Sequence, residues 1–480
     1  MSYHKNNMNY FSLIILKVIT LINITKCLDF KNNSYIILPI YTKSENKSSI
    51  VSSYYKEIYT KIDIGSNNQQ IEMKVQLNNY PLYLVEEKSV SDLFQSYIPK
   101  NSKSYSSIIE SFFYDKDFKS GIISEEYFRI NSTKIKICFR FILAQQISYF
   151  PIIPPGSIGL GISPPSSIKV KNINFIDQLR TNSIISDYSF SFIFNEKDSD
   201  KIIIGSDLDK ITKGFENSEK IIIKAGTNER QIDWGFSLKD VELIINSTNT
   251  NVSCFCNDDA IFDLSNEFII STYIFSSFIK KYFFNKLLDE NICVIEEINN
   301  VNYFSSLYRI IKCDKSANKY IMQNFPIIKF VIKDINYFSF NFTYQDLFFF
   351  KNEYIYFKII IYHIENDLII DKSLYTKNRW IFGKLFFKKY NISLNQDKKI
   401  IIFYINNKDK KENNKLYKSE NSNKSKFQII IWILIFILFI MGLILFHFIK
   451  KNFLLTKRIN NKNRKNFLVN EMEYFAQYDD

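Results

Sequence analysis

The chain has 480 residues, 46% of them hydrophobic, enough for one large bilobal unit or two to three domains. Ile, Asn, Lys, Phe and Tyr are over-used together and no basic-aromatic module stands out, so the net charge of +13 reads as compositional bias rather than as a nucleic-acid surface. Of three histidines, His4 precedes an apolar stretch and His447 lies in another, so His-dependent catalysis or zinc binding rests on His363 alone; that residue, in the strand-like run 359–364, reads as packed.

Residues 11–25, FSLIILKVITLINIT, form an apolar core behind a basic, polar start. Residues 1–27 therefore read as a signal peptide, with an uncleaved anchor as the alternative because Lys17 interrupts the run. Residues 28–52 are polar and rich in Ser, Asn and Lys, and read as a leader. From Ile62 to Val85, IDIGSNNQQIEMKVQLNNYPLYLV, apolar and polar residues alternate with the period of a strand. Gly65-Ser66 and Asn78-Asn79 mark turns.

This stretch resembles the first active-site segment of the pepsin-like aspartic peptidases. That family runs apolar-Gly-Thr/Ser-x-x-Gln, a strand, Asp-Thr-Gly-Ser, then a closing apolar run. Gly65, Gln69 and Leu82-Tyr83-Leu84 keep the register. Gln76 then stands at the family's first catalytic Asp, and Leu77-Asn78-Asn79 at its Thr-Gly-Ser.

The resemblance continues along the chain. Ser96–Ser107 is similar to the segment after the first active-site loop. FFYDKDFKSGIISEEYFRI is similar to the flap hairpin, which puts the flap tyrosine, a substrate-binding position, at Tyr114 and replaces Gly-Thr-Gly by Asp115-Lys116-Asp117. Glycines let a hairpin tip bend over a bound backbone; two carboxylates and a lysine make a solvated tip. AQQISYF and GSIGLGISPP, Gly156–Pro165, are similar to the apolar wall behind the first loop. Residues 53–220 are the expected N-terminal lobe, with 28–52 as a vestigial pro-segment, and residues 221–405 the C-terminal lobe. There, Ala260-Ile261-Phe262-Asp263-Leu264-Ser265-Asn266 keeps the second Asp as Asp263 but not the following Thr-Gly-Thr. RWIFGKLFFKKY resembles x-W-I-L-G-D-x-F-x-x-x-Y, with Trp380, Gly383, Phe386 and Tyr390 in register. The implied fold is mostly β: a bilobal pepsin-like body with a C-terminal transmembrane helix.

The same resemblance implies a bridge between Cys293 and Cys313. Cys254 and Cys256 lie before the Asp263 loop, and a one-residue spacer argues against pairing them with each other, so Cys138 or Cys27 is the alternative partner. Residues 406–426 read as a solvated stalk. Residues 427–449 read as the span: Ile429 to Ile449 is 21 residues without formal charge, enough to cross a bilayer. Residues 450–480 form a basic tail. Seven basic residues lie on each side, so orientation rests on the signal peptide, which places the body in the lumen or outside as a type I protein of the endoplasmic reticulum or beyond. The N-x-S/T sites at Asn46, Asn131, Asn246, Asn251, Asn341 and Asn391 agree with that side, as do cysteines suited to one or two bridges. The anchor and residue usage look most like the membrane-anchored apicomplexan branch that includes plasmepsin V.

Aspartic peptidases use two carboxylates that share a proton around one water. Gln76 cannot ionise, and loss of a general acid or base costs about 10²–10⁴ in rate. Asp263 is then expected to be a hydrogen-bonded loop residue. Three readings follow: a pseudo-peptidase binding a peptide or protein partner in its cleft, an aspartic endopeptidase with a non-standard site, or a membrane adhesin or receptor. An Asp115 or Asp117 carboxylate substituting for the missing Asp is the weaker route, since a flap lies across the cleft. No metal, organic cofactor or nucleic acid is implied, and the oligomeric state is not legible.

Overall fold

A computed structural model of the chain describes residues 35–43, 56–86, 96–109, 118–130, 135–147, 154–162, 173–194, 199–226, 233–245, 250–298, 308–362, 379–405 and 432–450, apart from positions 214, 217, 334, 336, 337, 444 and 448. The expected signal peptide, the stalk, the tail beyond Lys450, His363 and the flap residues Tyr114, Asp115, Lys116 and Asp117 lie outside the described residues.

The body up to Asp409 is built on three sheets. An eight-stranded sheet carries the first lobe, and a twelve-stranded one the second. A six-stranded sheet joins them, drawing strands from both ends of the body: Ile36–Pro39, Lys201–Ile204, Ser189–Ile193, Asn391–Asn395, Ile400–Ile405 and Glu219–Lys224 in that order. The Gln69–Gln76 strand shows why the sequence folds so. Ile71, Met73 and Val75 are buried while Glu72 and Lys74 between them reach the surface, the alternation of a half-buried strand.

Each lobe repeats one motif. In the first, Gln69–Gln76 runs parallel to Gly156–Gly159, with Gln76 opposite Gly159. The chain then loops back, and Leu82–Val85 pairs antiparallel on the other side of Gly156–Gly159. In the second, Asp259–Phe262 runs parallel to Arg379–Phe382, and Ile269–Ile270 pairs antiparallel on its other side. The closing strands find parallel partners in turn: Tyr83 opposite Ile142, and Ile269 opposite Ile359. A glycine is required where each loop crosses its wall. A Cβ on Gly159 would sit 2.7 Å from the Asn79 carbonyl oxygen, and one on Gly383 would sit 2.3 Å from that of Asn266.

Two boundaries gain structural detail. Residues 36–43, expected within the leader, pair with strands of the body. Ile36–Pro39 pairs with Lys201–Ile204 and Tyr41–Lys43 with the Glu57–Ile64 strand, with Ile36, Leu38 and Ile40 buried. Their alternating apolar residues were hidden in a polar neighbourhood, and their partner strand lies far along the chain. The division at 220 also falls inside the Glu219–Lys224 strand of the joining sheet, which takes residues from both lobes rather than separating them.

The segment from Lys410 onward is a separate unit. Residues 432–443, 445–447 and 449–450 are helical, and their apolar side chains are exposed. Among the described residues no helix is long and apolar enough to cross a membrane.

Candidate functional site

Gln76 ends the Gln69–Gln76 strand, Asp263 follows the Asp259–Phe262 strand, and each opens a loop toward the next strand. In the first, the Asn79 Oδ1 accepts the Tyr80 N–H at 2.9 Å, so its Nδ2 is the end that faces Gln76. That Nδ2 and the Ser157 Oγ donate to the Gln76 Oε1 at 3.1 and 2.8 Å. In the second, the Asp263 Oδ1 accepts from the Ser265 N–H at 2.9 Å and its Oγ at 2.6 Å, while the Asn266 Nδ2 donates to Oδ2 at 3.0 Å. An asparagine three residues on thus holds the side-chain oxygen in both loops. The carbonyl of that same asparagine accepts from the wall, from the Gly161 N–H in one lobe and the Lys384 N–H in the other. The wall donor lies two residues past Gly159 in the first lobe and one residue past Gly383 in the second.

A chain of three hydrogen bonds runs between the loops. The Gln76 carbonyl accepts the Leu160 N–H at 2.9 Å. The Leu160 carbonyl accepts the buried Trp234 indole N–H at 2.7 Å. The Trp234 carbonyl accepts the N–H of Phe262, the residue before Asp263, at 2.8 Å. The Gln396 amide adds a second crossing by donating to the Gly161 carbonyl.

The surrounding frame is also satisfied. Gln69 bonds the Ile98 peptide through both ends of its amide, at 3.0 Å each way. The fully buried Glu126 accepts from Tyr97 Oη at 2.7 Å, Ser104 Oγ at 2.5 Å and the Tyr127 N–H at 2.7 Å. Burial, then that carboxylate, pushes the Tyr97 phenol far above its ordinary range.

Sequence reasoning missed Lys384. It follows Gly383, at the place of the Asp in the W-I-L-G-D pattern, so a charge reversal was the available signal. Its side chain is 1% exposed; the ammonium donates to the Lys56 carbonyl and lies 3.7 Å from Glu267. Burial pulls Lys384 down to about 8; Lys388 and Lys56 act in the same direction, Glu267 and Asp263 against it. Burial pushes the Glu267 carboxyl up, but Lys388, Lys384 and Lys56 outweigh it and hold it below its ordinary range. The pair is unequal because Lys388 also contacts Glu267.

Cys293 and Cys313 are bridged, as the resemblance implied. Cys254 is bridged to Cys256, against the expectation drawn from the short spacer, and Cys138 is free and exposed. The reason is the backbone at Phe255: its φ of 57° folds the chain so that the two Cα atoms lie 5.2 Å apart, within bridging range. Among the described residues no cluster of His, Cys, Asp and Glu is arranged to hold a metal ion.

Two lobes repeating one loop-and-wall motif, with Asp263 in the second, define the architecture of an aspartic peptidase. A family model described as eukaryotic aspartyl protease matches residues 57–404, and the chain belongs to that family. No curated protein matches the chain.

Proposed function

We propose that this chain is a membrane-anchored, catalytically impaired member of its family that binds a peptide or protein partner in the cleft between its lobes. The observation that carries the reading is Gln76. The aspartic mechanism needs a base and an acid at one water, from two carboxylates. Gln76, which the family resemblance sets at the first Asp, is an amide whose oxygen is already engaged by Asn79 and Ser157. The positions that follow, Leu77-Asn78-Asn79, supply no acid either.

The anchor in this reading is Ile429–Ile449, 21 residues without formal charge, with the body lumenal or extracellular. Two disulfides suit an oxidising compartment.

The test is cleavage of a mixed peptide library at acid pH by the full chain in detergent, with binding of the same peptides followed in parallel. Binding without turnover is the expected result. One observation favours the endopeptidase alternative: Asp263 is retained and held by three donors. Pepstatin-sensitive turnover abolished by Asp263→Ala would establish that alternative and end the pseudo-peptidase reading.

A further inference from the structure

Among the described residues the N-x-S/T pattern occurs at Asn251, Asn341 and Asn391, and the fold treats the three differently. Asn341 is 7% exposed. Tyr390 holds its peptide on both sides: the phenol oxygen accepts the Asn341 N–H at 2.8 Å and donates to its carbonyl at 3.0 Å. The Asn341 Oδ1 accepts from Ser339 Oγ at 3.2 Å. Asn391 is half-buried at the start of a strand of the joining sheet, and Ser393, the third residue of its pattern, is fully buried against Ser191. Asn251 is exposed.

Asn251 also stands on an open edge. The Thr250–Ser253 strand pairs with Gly235–Ile245, Asn251 opposite Ile244, and among the described residues no strand pairs with its other side. Its four residues include neither lysine nor proline, the usual guards of an edge. The strand is fixed in place, because Ser253 Oγ donates to the Asp240 carboxylate and accepts the Phe255 N–H at 3.1 Å. Two residues past Ser253, the left-handed backbone at Phe255 leaves that ring 87% exposed. A bare backbone edge beside an exposed aromatic ring is a template for association between chains.

We infer that Asn251 is an N-glycosylation site whose sugar guards this edge and Phe255, and that Asn341 is unmodified in the folded protein. The inference rests on the lumenal placement of the body proposed above. In the transfer, the Asn251 amide nitrogen forms a bond to the anomeric carbon of an oligosaccharide carried on a lipid pyrophosphate. The anomeric carbon–oxygen bond breaks, the pyrophosphate leaves with the electron pair, and the amide proton is lost to base; nothing is oxidised or reduced. The sugar is bulky and solvated, so an exposed edge accommodates it. Transfer precedes folding, so a chain modified at the buried Asn341 cannot close that part of the second lobe and does not reach the folded pool.

The experiment uses the full chain with a C-terminal tag, purified in detergent from a eukaryotic secretory host. Enzymatic release of N-glycans in heavy-oxygen water converts each modified asparagine to a labelled aspartate, which mass spectrometry locates. Label at Asn251 and none at Asn341 is the expected result. Label at Asn341 in the folded fraction, or an unlabelled Asn251 in a chain labelled elsewhere, overturns the inference. If no site is labelled, protease added outside sealed microsomes decides what has failed. A protected body overturns the inference and leaves the lumenal placement standing; a digested body overturns the lumenal placement and the inference with it. The guarding role is read from two variants. Asn251→Gln should keep the urea midpoint of the wild type but form larger species in gel filtration as its concentration is raised. Asn251→Lys, which removes the sugar and puts a charge on the edge, should stay as monodisperse as the wild type. If Asn251→Gln stays monodisperse, or if Asn251→Lys associates as Asn251→Gln does, the guarding role is overturned.

Discussion

Replacing Lys384 by Met should stabilise the protein at neutral pH while removing a hydrogen bond next to Asp263. Lys384 falls from 10.5 to about 8 in the fold, a difference of 2.5 that is worth about 3 kcal/mol at 1.36 kcal/mol per unit. That is the cost of keeping the ammonium charged where it is 1% exposed. Met keeps most of the volume without the charge, which is why buried ionic groups are often replaced at no loss. The offset is the charge-assisted hydrogen bond to the Lys56 carbonyl, about 2 kcal/mol. Glu267 is not orphaned, because Lys388 contacts it. The net expectation is a gain of about 1 kcal/mol below pH 8. Between about 8 and 10.5 the unfolded chain binds more protons at this lysine than the folded one, so wild-type stability from this group rises with pH. The advantage of the variant should therefore shrink across that window and reverse above it. Urea unfolding of both proteins from pH 6.5 to 10.5 reads this directly. A variant less stable than wild type at pH 6.5, or a difference constant across the range, would refute the reasoning.

Three further outcomes are expected. Trp234→Phe removes the indole donor to the Leu160 carbonyl and should cost about 1–3 kcal/mol in urea unfolding, with faster amide exchange at Leu160 and Phe262; unchanged exchange there would show that the bond between the lobes carries no weight. Changing both Cys293 and Cys313 to Ser opens a bridge of sequence separation 20 and should cost about 3 kcal/mol, whereas Cys138→Ser should leave stability unchanged. The double change Gln76→Asp with Leu77→Thr should bring partial, pepstatin-sensitive peptide cleavage: the new carboxylate would inherit the donors Asn79 and Ser157, while Asn78 still stands where the family has glycine. Full activity of the unaltered protein in the same assay would remove the premise.

Features that depend on local geometry were legible in the sequence. Gly383 can be read from its neighbours because the wall strand meets a carbonyl oxygen there and no side chain fits. Gln69, Trp380, Phe386 and Tyr390 were legible through the family resemblance, as was the Cys293–Cys313 bridge, whose two cysteines stand opposite each other in paired strands of the second lobe. The Cys254–Cys256 pairing was misjudged because a spacer length does not reveal a left-handed backbone at Phe255.

What remained was settled between distant residues. Ile36–Pro39 looks like leader until Lys201–Ile204 arrives to pair with it. Lys384 looks like one more lysine in a basic helix until the fold buries it against Lys56 and Glu267, which changes the sign of its contribution to stability. Residue identity alone set the chemistry available at each loop, because ionisable groups belong to residues. Which of those groups lost its water, and which strands bridge the lobes, was left to the folded chain, because burial and long-range pairing arise when the whole chain closes on itself.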